Sequence, residues 1–467
     1  MVFSSSIFLF VFLPITITIY YLLNDKFKNV WLLIASLFFY SWGEPKYILL
    51  IIASILINYV FGLIIEKLAG DYNRKYRKFA LVMIVTIDLV TLGIFKYLDF
   101  AIANINRFVN KDIPLRNIAL PIGISFFSFQ IMSYVIDVYR GEKAQRNILD
   151  LGLYIALFPQ LIAGPIVRYS DIRDQLRNRS HSIDKFYKGV ILFMIGFSKK
   201  ILIADQLSPL VDKIFDGNGF SAYVAWVGAI AYTLQIYFDF SGYSDMARGL
   251  GNIFGFEFME NFNYPYVSSS IKEFWRRWHI SLSTWFRDYL YIPMGGSRCS
   301  TSRQIINLLV VFFLTGLWHG ASWNFIIWGL YYAAFLIAER LFLGKYLEKA
   351  PNAIEHAYAL VVVVIGWIFF KAPGASSALH YIANLFRIDG SSWADLVSNL
   401  NRQYIFCLIV GVIFSIPFGK KIFESCIRDD IALYRRIISV FSVFVVFIIA
   451  ISYMVGSGFS PFLYFRF

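Results

Sequence analysis

Cysteine and charge are both scarce in this chain. Three cysteines in 467 residues, Cys299, Cys407 and Cys426, are too widely spaced for a disulfide framework or a metal-binding motif, and no metal is expected. Charged residues make up 16% of the chain against 58% hydrophobic ones, which excludes an ordinary soluble core and a disordered chain. Several catalytic signatures are missing as well. The chain has no Gly-rich phosphate loop ending in Lys-Ser/Thr, no G-x-S-x-G elbow and no H-E-x-x-H, which argues against an ATP-driven pump or a serine hydrolase. It also lacks a linker, a low-complexity tract and an internal repeat. Without two matching halves, a secondary transporter is disfavoured.

What the chain has instead is long apolar runs. They cover about 2–23, 29–42, 46–65, 79–98, 118–138, 148–166, 187–204, 220–240, 305–319, 323–343, 357–370, 404–418 and 438–456. A spanning helix needs about 20 apolar residues, so these runs predict an all-α polytopic membrane protein of about 11–13 transmembrane or re-entrant helices, folded as one domain over 1–467. The runs 29–42, 357–370 and 404–418 are short and suit tilted or re-entrant segments. The first run carries no positive n-region and no small-residue cleavage site, so it reads as a retained helix.

A net charge of +13 raises the possibility of nucleic acid, but the lysines and arginines gather in short loops at 66–78, 139–146 and 272–303. That is the positive-inside pattern of a protein in a lipid bilayer, and no nucleic-acid partner is expected. With 66–78 in the cytoplasm, the Arg-rich stretch 168–188 falls on the wrong side unless 148–166 is re-entrant. The sequence LFPQLIAGPIV, with two prolines and a glycine, permits a broken helix there.

The longest polar-rich stretch, 241–304, is dominated by glycines and aromatics and reads as folded against the membrane. Within it Trp275, Trp278, Leu282, Trp285 and Tyr289 recur at helical spacing, while Lys272, Arg276, His279, Ser283 and Arg287 follow the same rhythm on another face. This predicts one amphipathic helix over 271–290 lying in the interface plane, capped by one of Ser268, Ser269 or Ser270 and stopped by PMGGSR.

Only five histidines occur, and two of them flank this region: His279 in WRRWHISLSTW and His319 in FFLTGLWHGASWNF. His319 follows an uncharged run, 305–318, at a depth where an ionisable group is costly and marks a candidate functional site. A neutral imidazole there is suited to take a proton from a hydroxyl. Gly316 and Gly320 would let a thin substrate approach the backbone, and Asn324 could donate to a developing oxyanion. The bland alternative is an aromatic helix-end anchor built from Trp318, His319 and Trp323. For His279 the bland reading is one more polar residue facing headgroups. Lys272, Arg276, Arg277, Arg287, Arg298 and Arg303 could hold donor phosphates, or could simply set topology. Asp239 and Asp245 could orient a histidine or pair with Arg248; for Asp239 the structural role is favoured.

The block YFDFSGYSDMARGLGNIFGFEFMENFNYPYVSSSIKEFWRRWHISLSTWFRDYLYIPMGGSR, followed by LWHGASWNFIIWG, resembles the membrane-bound O-acyltransferase (MBOAT) superfamily. Within it the likeness is strongest to the bacterial branch of alginate and peptidoglycan O-acetyltransferases. MVFSSSIFLFVFLPI, LPIGISFFSFQIMSYVIDVYRG, LFPQLIAGPIVRY and the ending PFLYFRF carry it along nearly the whole chain. The resemblance implies a helical bundle around a central tunnel, with a catalytic core over about 118–345. By position it makes His319 the family's catalytic histidine, expected to act as general base, and His279 the second site, where branches carry Asn, Asp or His, expected to orient the donor or polarise its carbonyl. It further implies acetyl-CoA as donor substrate with no bound cofactor, and transfer from the cytoplasm across the bacterial cytoplasmic (inner) membrane toward an extracellular or periplasmic polysaccharide of the alginate, peptidoglycan or cellulose type. An extracytoplasmic SGNH-type acetyltransferase is the expected partner. D-alanyl transfer to teichoic acid from a carrier protein, and non-enzymatic transport of an acyl or sugar donor, are the alternatives.

Overall fold

The computed structural model describes residues 1–217, 220–387, 393–428, 430–456 and 462–463. Most of the described residues are helical, and none lies in a strand. Of the FRF ending, residues 465–467 lie outside this set. Among the described residues, six helices are long and apolar enough to cross a membrane: Ile48–Lys67, Arg74–Val109, Thr301–His319, Trp323–Leu347, Asn352–Lys371 and Leu433–Gly456. Trp393–Asn399 and Arg402–Ser415, bent by 92°, make a seventh span if taken together. The chain is a multi-pass membrane protein. The remaining apolar runs form short or interrupted helices, which accounts for the gap between six or seven spans and the larger number of runs.

The chain forms two compact units, Met1–Gly189 with Leu250–Met259, and Val190–Gly249 with Glu260–Phe467. In the first unit, the break expected in 148–166 is present. One helix ends at Ala156 and a short one starts at Phe158, and the Phe158 N–H freed by the break donates to Ser36 Oγ at 3.1 Å. A broken helix at membrane depth is tolerable only when protein groups take over the lost backbone bonds in this way. Nearby, the buried Tyr20 hydroxyl donates to the Phe254 carbonyl at 2.8 Å and lies 2.6 Å from His181 Nε2.

In the second unit, the apolar run 220–240 does not end where the polar-rich stretch begins. Ala222–Ile253 is one helix of 32 residues, so Asp239, Ser241, Ser244 and Asp245 sit on a helix rather than in a surface segment. They can, because cations meet the two carboxylates. Lys200 Nζ contacts Asp239 at 2.9 Å and Asp205 at 2.8 Å, and Lys199 Nζ contacts Asp245 at 2.6 Å. Asp239 also accepts the Leu463 N–H at 2.9 Å. The helices differ in how much they bury: half of the Asn352–Lys371 window is inside the protein, against 17% of Leu433–Gly456. The first lies largely inside this unit and the second mostly on its outside.

Candidate active site

The predicted amphipathic helix over 271–290 is broken at its centre. Ile271–Arg277 and Ile280–Phe286 are separate helices, followed by a π-type turn over Arg287–Tyr291. Between them His279 adopts a left-handed backbone, φ 45° and ψ 54°. The cause is a tertiary clamp. Asn263 N–H donates to the Arg277 carbonyl at 2.9 Å, and Ile280 N–H donates to the Asn261 carbonyl at 3.0 Å, so 261–263 holds the chain on both sides of the kink. The cap is Ser270, whose Oγ accepts the Glu273 N–H, and Gly295 and Gly296 end the segment with positive φ, as the PMGGSR signal implies. One support has no local signal: Glu339 accepts the backbone N–H groups of Ile271 at 2.6 Å and Lys272 at 3.0 Å, placing a carboxylate at the positive end of that helix.

The kink turns His279 inward. The residue is fully buried and does not share the exposed face of Lys272 and Arg276. Its ring meets Phe240 edge-on at 4.6 Å and Trp318 at 6.0 Å. Nδ1 lies 3.2 Å from Asn261 Oδ1, and that oxygen already accepts the Ser281 N–H at 3.1 Å and the Ser281 hydroxyl at 2.9 Å. Assigned from these contacts, and with the Ser281 hydroxyl 3.4 Å from the same nitrogen, Nδ1 carries the hydrogen and Nε2 the lone pair. Burial pushes this imidazole down to a pKa of about 3, so the ring is neutral at physiological pH.

His319 ends the helix Thr301–His319 and sits in a cage of rings: Trp328 at 4.9 Å, Trp318 at 5.0 Å and Phe370 at 5.2 Å, all near edge-to-face. Trp318 thus touches both histidines and brings the two motifs to one place. The helices Thr301–His319 and Trp323–Ala338 form a tight hairpin. A Cβ on Gly316 would lie 2.3 Å from the Phe325 carbonyl oxygen, and one on Gly329 would lie 2.2 Å from that of Phe312. The glycines therefore admit the neighbouring helix and not a substrate, and the Phe325 ring fills the space beside Gly320.

Three further assignments change. Asn324 gives its amide N–H groups to the carbonyls of Phe369 at 3.2 Å and Ala372 at 3.0 Å. It fastens the hairpin to the end of Asn352–Lys371 and has no hydrogen left for an oxyanion. Asp245 meets Lys199, and Arg248 at 3.5 Å, so these contacts give it a structural role in place of orienting a histidine. Among the basic residues, Arg277 is held by Glu273 at 2.8 Å and by the Asn263 carbonyl at 3.1 Å, and Arg287 pairs with Asp288 at 2.7 Å. Lys272, Arg276, Arg298 and Arg303 are exposed.

Trp328, Phe370, Phe240 and Asn261 belong to the site although nothing in the sequence singled them out. Phe370 lies beyond the expected core of 118–345. Trp275 Nε1, Trp328 Nε1 and Tyr332 Oη are buried with no hydrogen-bond partner among the described residues. Burying such a donor unsatisfied costs roughly 1–3 kcal/mol.

A membrane-spanning hairpin closes one buried histidine into an aromatic cage, and a second buried histidine lies against the same Trp318 ring. The model of the MBOAT, membrane-bound O-acyltransferase family, matches residues 37–377, and the chain belongs to this family. The probable alginate O-acetylase AlgI of Pseudomonas aeruginosa is 45% identical over 418 residues, covering 88% of this chain and 79% of that protein. The probable alginate O-acetylase AlgI of Pseudomonas putida is 41% identical with both chains covered in full. The peptidoglycan O-acetyltransferase of Helicobacter pylori is 32% identical, covering all of this chain and 98% of its own.

Proposed function

We propose that this O-acyltransferase moves acetyl groups from cytoplasmic acetyl-CoA across the bacterial cytoplasmic membrane, for O-acetylation of an envelope polysaccharide of the alginate or peptidoglycan type. The observation that carries the reading is His319, buried among aromatic rings at the end of a spanning helix. Relatives named as alginate and peptidoglycan O-acetylating enzymes support the acetyl group and the polymer class. The exposed cations Lys272, Arg276 and Arg298 are the groups available to meet the phosphates of the donor.

The chemistry follows from the two imidazoles. The acceptor hydroxyl, on the polymer or on a serine of an extracytoplasmic SGNH-type partner, attacks the thioester carbonyl carbon. His319, as general base, takes the hydroxyl proton while the carbonyl π pair moves onto oxygen. The pair then returns, the C–S bond breaks, and the thiolate takes the proton back from His319. General-base catalysis of this kind contributes about 100- to 10,000-fold. With Nδ1–H given to Asn261, the Nε2 of His279 accepts a hydrogen bond, which suits it to orient a hydroxyl and not to polarise a carbonyl.

The test is turnover of labelled acetyl-CoA by the purified protein in proteoliposomes with a polysaccharide acceptor. His319→Ala is expected to lose transfer by about the general-base factor while eluting as a folded protein. Wild-type transfer by that variant would overturn the assignment. Absence of acetyl-CoA use by the wild type under any acceptor condition would overturn the choice of donor.

A further inference from the structure

The proposed transfer places negative charge on the acetyl oxygen, and the groups first expected to meet it are already committed. Asn324 spends both amide hydrogens on carbonyls. His279 gives Nδ1–H to Asn261, and its other nitrogen carries no hydrogen. A thioester carbonyl needs a hydrogen-bond donor at the point where charge develops, and in a water-poor site such a donor is worth more than in solution.

Beside His319 the protein has one such donor, Trp328, with two more packed against that indole. Trp328 packs its indole against the His319 ring at 4.9 Å. Trp275 and Tyr332 pack against Trp328 at 5.7 and 5.4 Å, and against each other at 5.1 Å. The polar hydrogens of all three are buried and have no partner among the described residues. Trp328 and Tyr332 are fully buried. Isolated unsatisfied donors are uncommon in folded proteins, and three packed together beside a candidate base match the needs of an oxygen ligand. All three are donors to an oxygen and none carries charge, so the set suits a carbonyl oxygen whose charge appears only during reaction.

We propose that the indole N–H of Trp328, with Trp275 and Tyr332 beside it, forms the oxyanion site for the acetyl carbonyl next to His319. This rests on the acyl-transfer reading above. As the acceptor oxygen bonds to the acetyl carbon, the π pair moves onto the carbonyl oxygen and is held by the Trp328 N–H, while His319 takes the hydroxyl proton. When the C–S bond breaks the pair returns, and the thiolate leaves with that proton.

The experiment replaces Trp328 with its benzothienyl analogue, which keeps the ring shape and exchanges N–H for sulfur, alongside Trp328→Phe and His319→Ala. Acetyl transfer is measured in proteoliposomes, and affinity is compared for acetyl-CoA and for S-ethyl-CoA, a thioether without the carbonyl. The analogue is expected to lower kcat by about 100- to 1,000-fold and to leave KM, the relative affinity for acetyl-CoA and S-ethyl-CoA, and thermal stability unchanged. A wild-type kcat in the analogue would overturn the proposal, as would a loss confined to KM or one matched by a loss of stability. His319→Ala separates the two readings. If it retains transfer, the general-base reading fails whatever Trp328 does; if it alone is inactive, only the oxyanion assignment fails.

Discussion

At the scale of the residue, His279 shows how backbone and side chain are selected together. A left-handed backbone costs most residues about 1–2 kcal/mol, and Asn, Asp and His tolerate it best after glycine. Those three are also the residues that the family resemblance places at this position, and each offers a side chain able to hydrogen-bond Asn261 and Ser281. His279→Asn is therefore expected to fold normally, whereas His279→Val adds a β-branched strain of about 1–3 kcal/mol; unfolding in detergent micelles distinguishes them. Protonation sharpens the comparison. The folded imidazole titrates near 3 and the unfolded one near 6.5. Above about pH 6.5 neither state binds the proton and His279 contributes no pH dependence. Below it the unfolded chain gains a proton that the folded one refuses, so stability falls as pH drops toward 3, by at most about 1.4 kcal/mol per pH unit. The wild type should lose stability relative to His279→Asn between pH 7 and pH 5; parallel curves would show that the ring is not held neutral.

At the scale of the element, the hairpin of Thr301–His319 and Trp323–Ala338 explains why glycine accompanies the His319 motif. Gly316 and Gly329 face the backbone of the opposite helix, so a methyl group at either would overlap a carbonyl oxygen at 2.2–2.3 Å. Close backbone approach through small residues is a common way for membrane helices to associate. Gly329→Ala should separate the helices, lower the melting temperature and displace His319, with transfer falling in step. Gly93→Ala is the control, since nothing lies within 4 Å of its Cβ and glycine-to-alanine within a helix is worth about 0.5–1 kcal/mol in the other direction. A Gly329→Ala protein as stable as Gly93→Ala would show that the hairpin has room to spare. The element scale is also where sequence periodicity misled. The spacing from Trp275 to Tyr289 is helical, and both pieces are indeed helices, but the kink between them comes from Asn261 and Asn263, too far upstream for any local pattern to register.

At the scale of the whole molecule, the membrane class, the helical fold and the pairing of His279 with His319 were legible because hydropathy and rare ionisable residues are properties of composition and local order. What was not legible depends on tertiary neighbours: the partners of Asp245 and Asn324, the aromatic cage from Trp328 and Phe370, and the helical course of 241–253, whose polar residues are masked only once their cations are placed. Lys200 gathers several of these. It lies almost fully buried between Asp205 and Asp239. Asp239 in turn accepts the Leu463 N–H and stands next to Phe240, the ring packed on His279. Removing one member of such a cluster leaves buried charge uncompensated, at a cost of about 3–5 kcal/mol, whereas removing charge from both sides costs less. Lys200→Met should therefore destabilise the protein strongly and reduce acyl transfer without contacting substrate. Combining it with Asp239→Asn should recover part of the stability, a non-additivity expected only of groups in direct contact. Thermal unfolding of the two single variants and the double variant in one detergent measures the coupling. Strictly additive losses would mean that the ion pair does not organise the Phe240 face of the site.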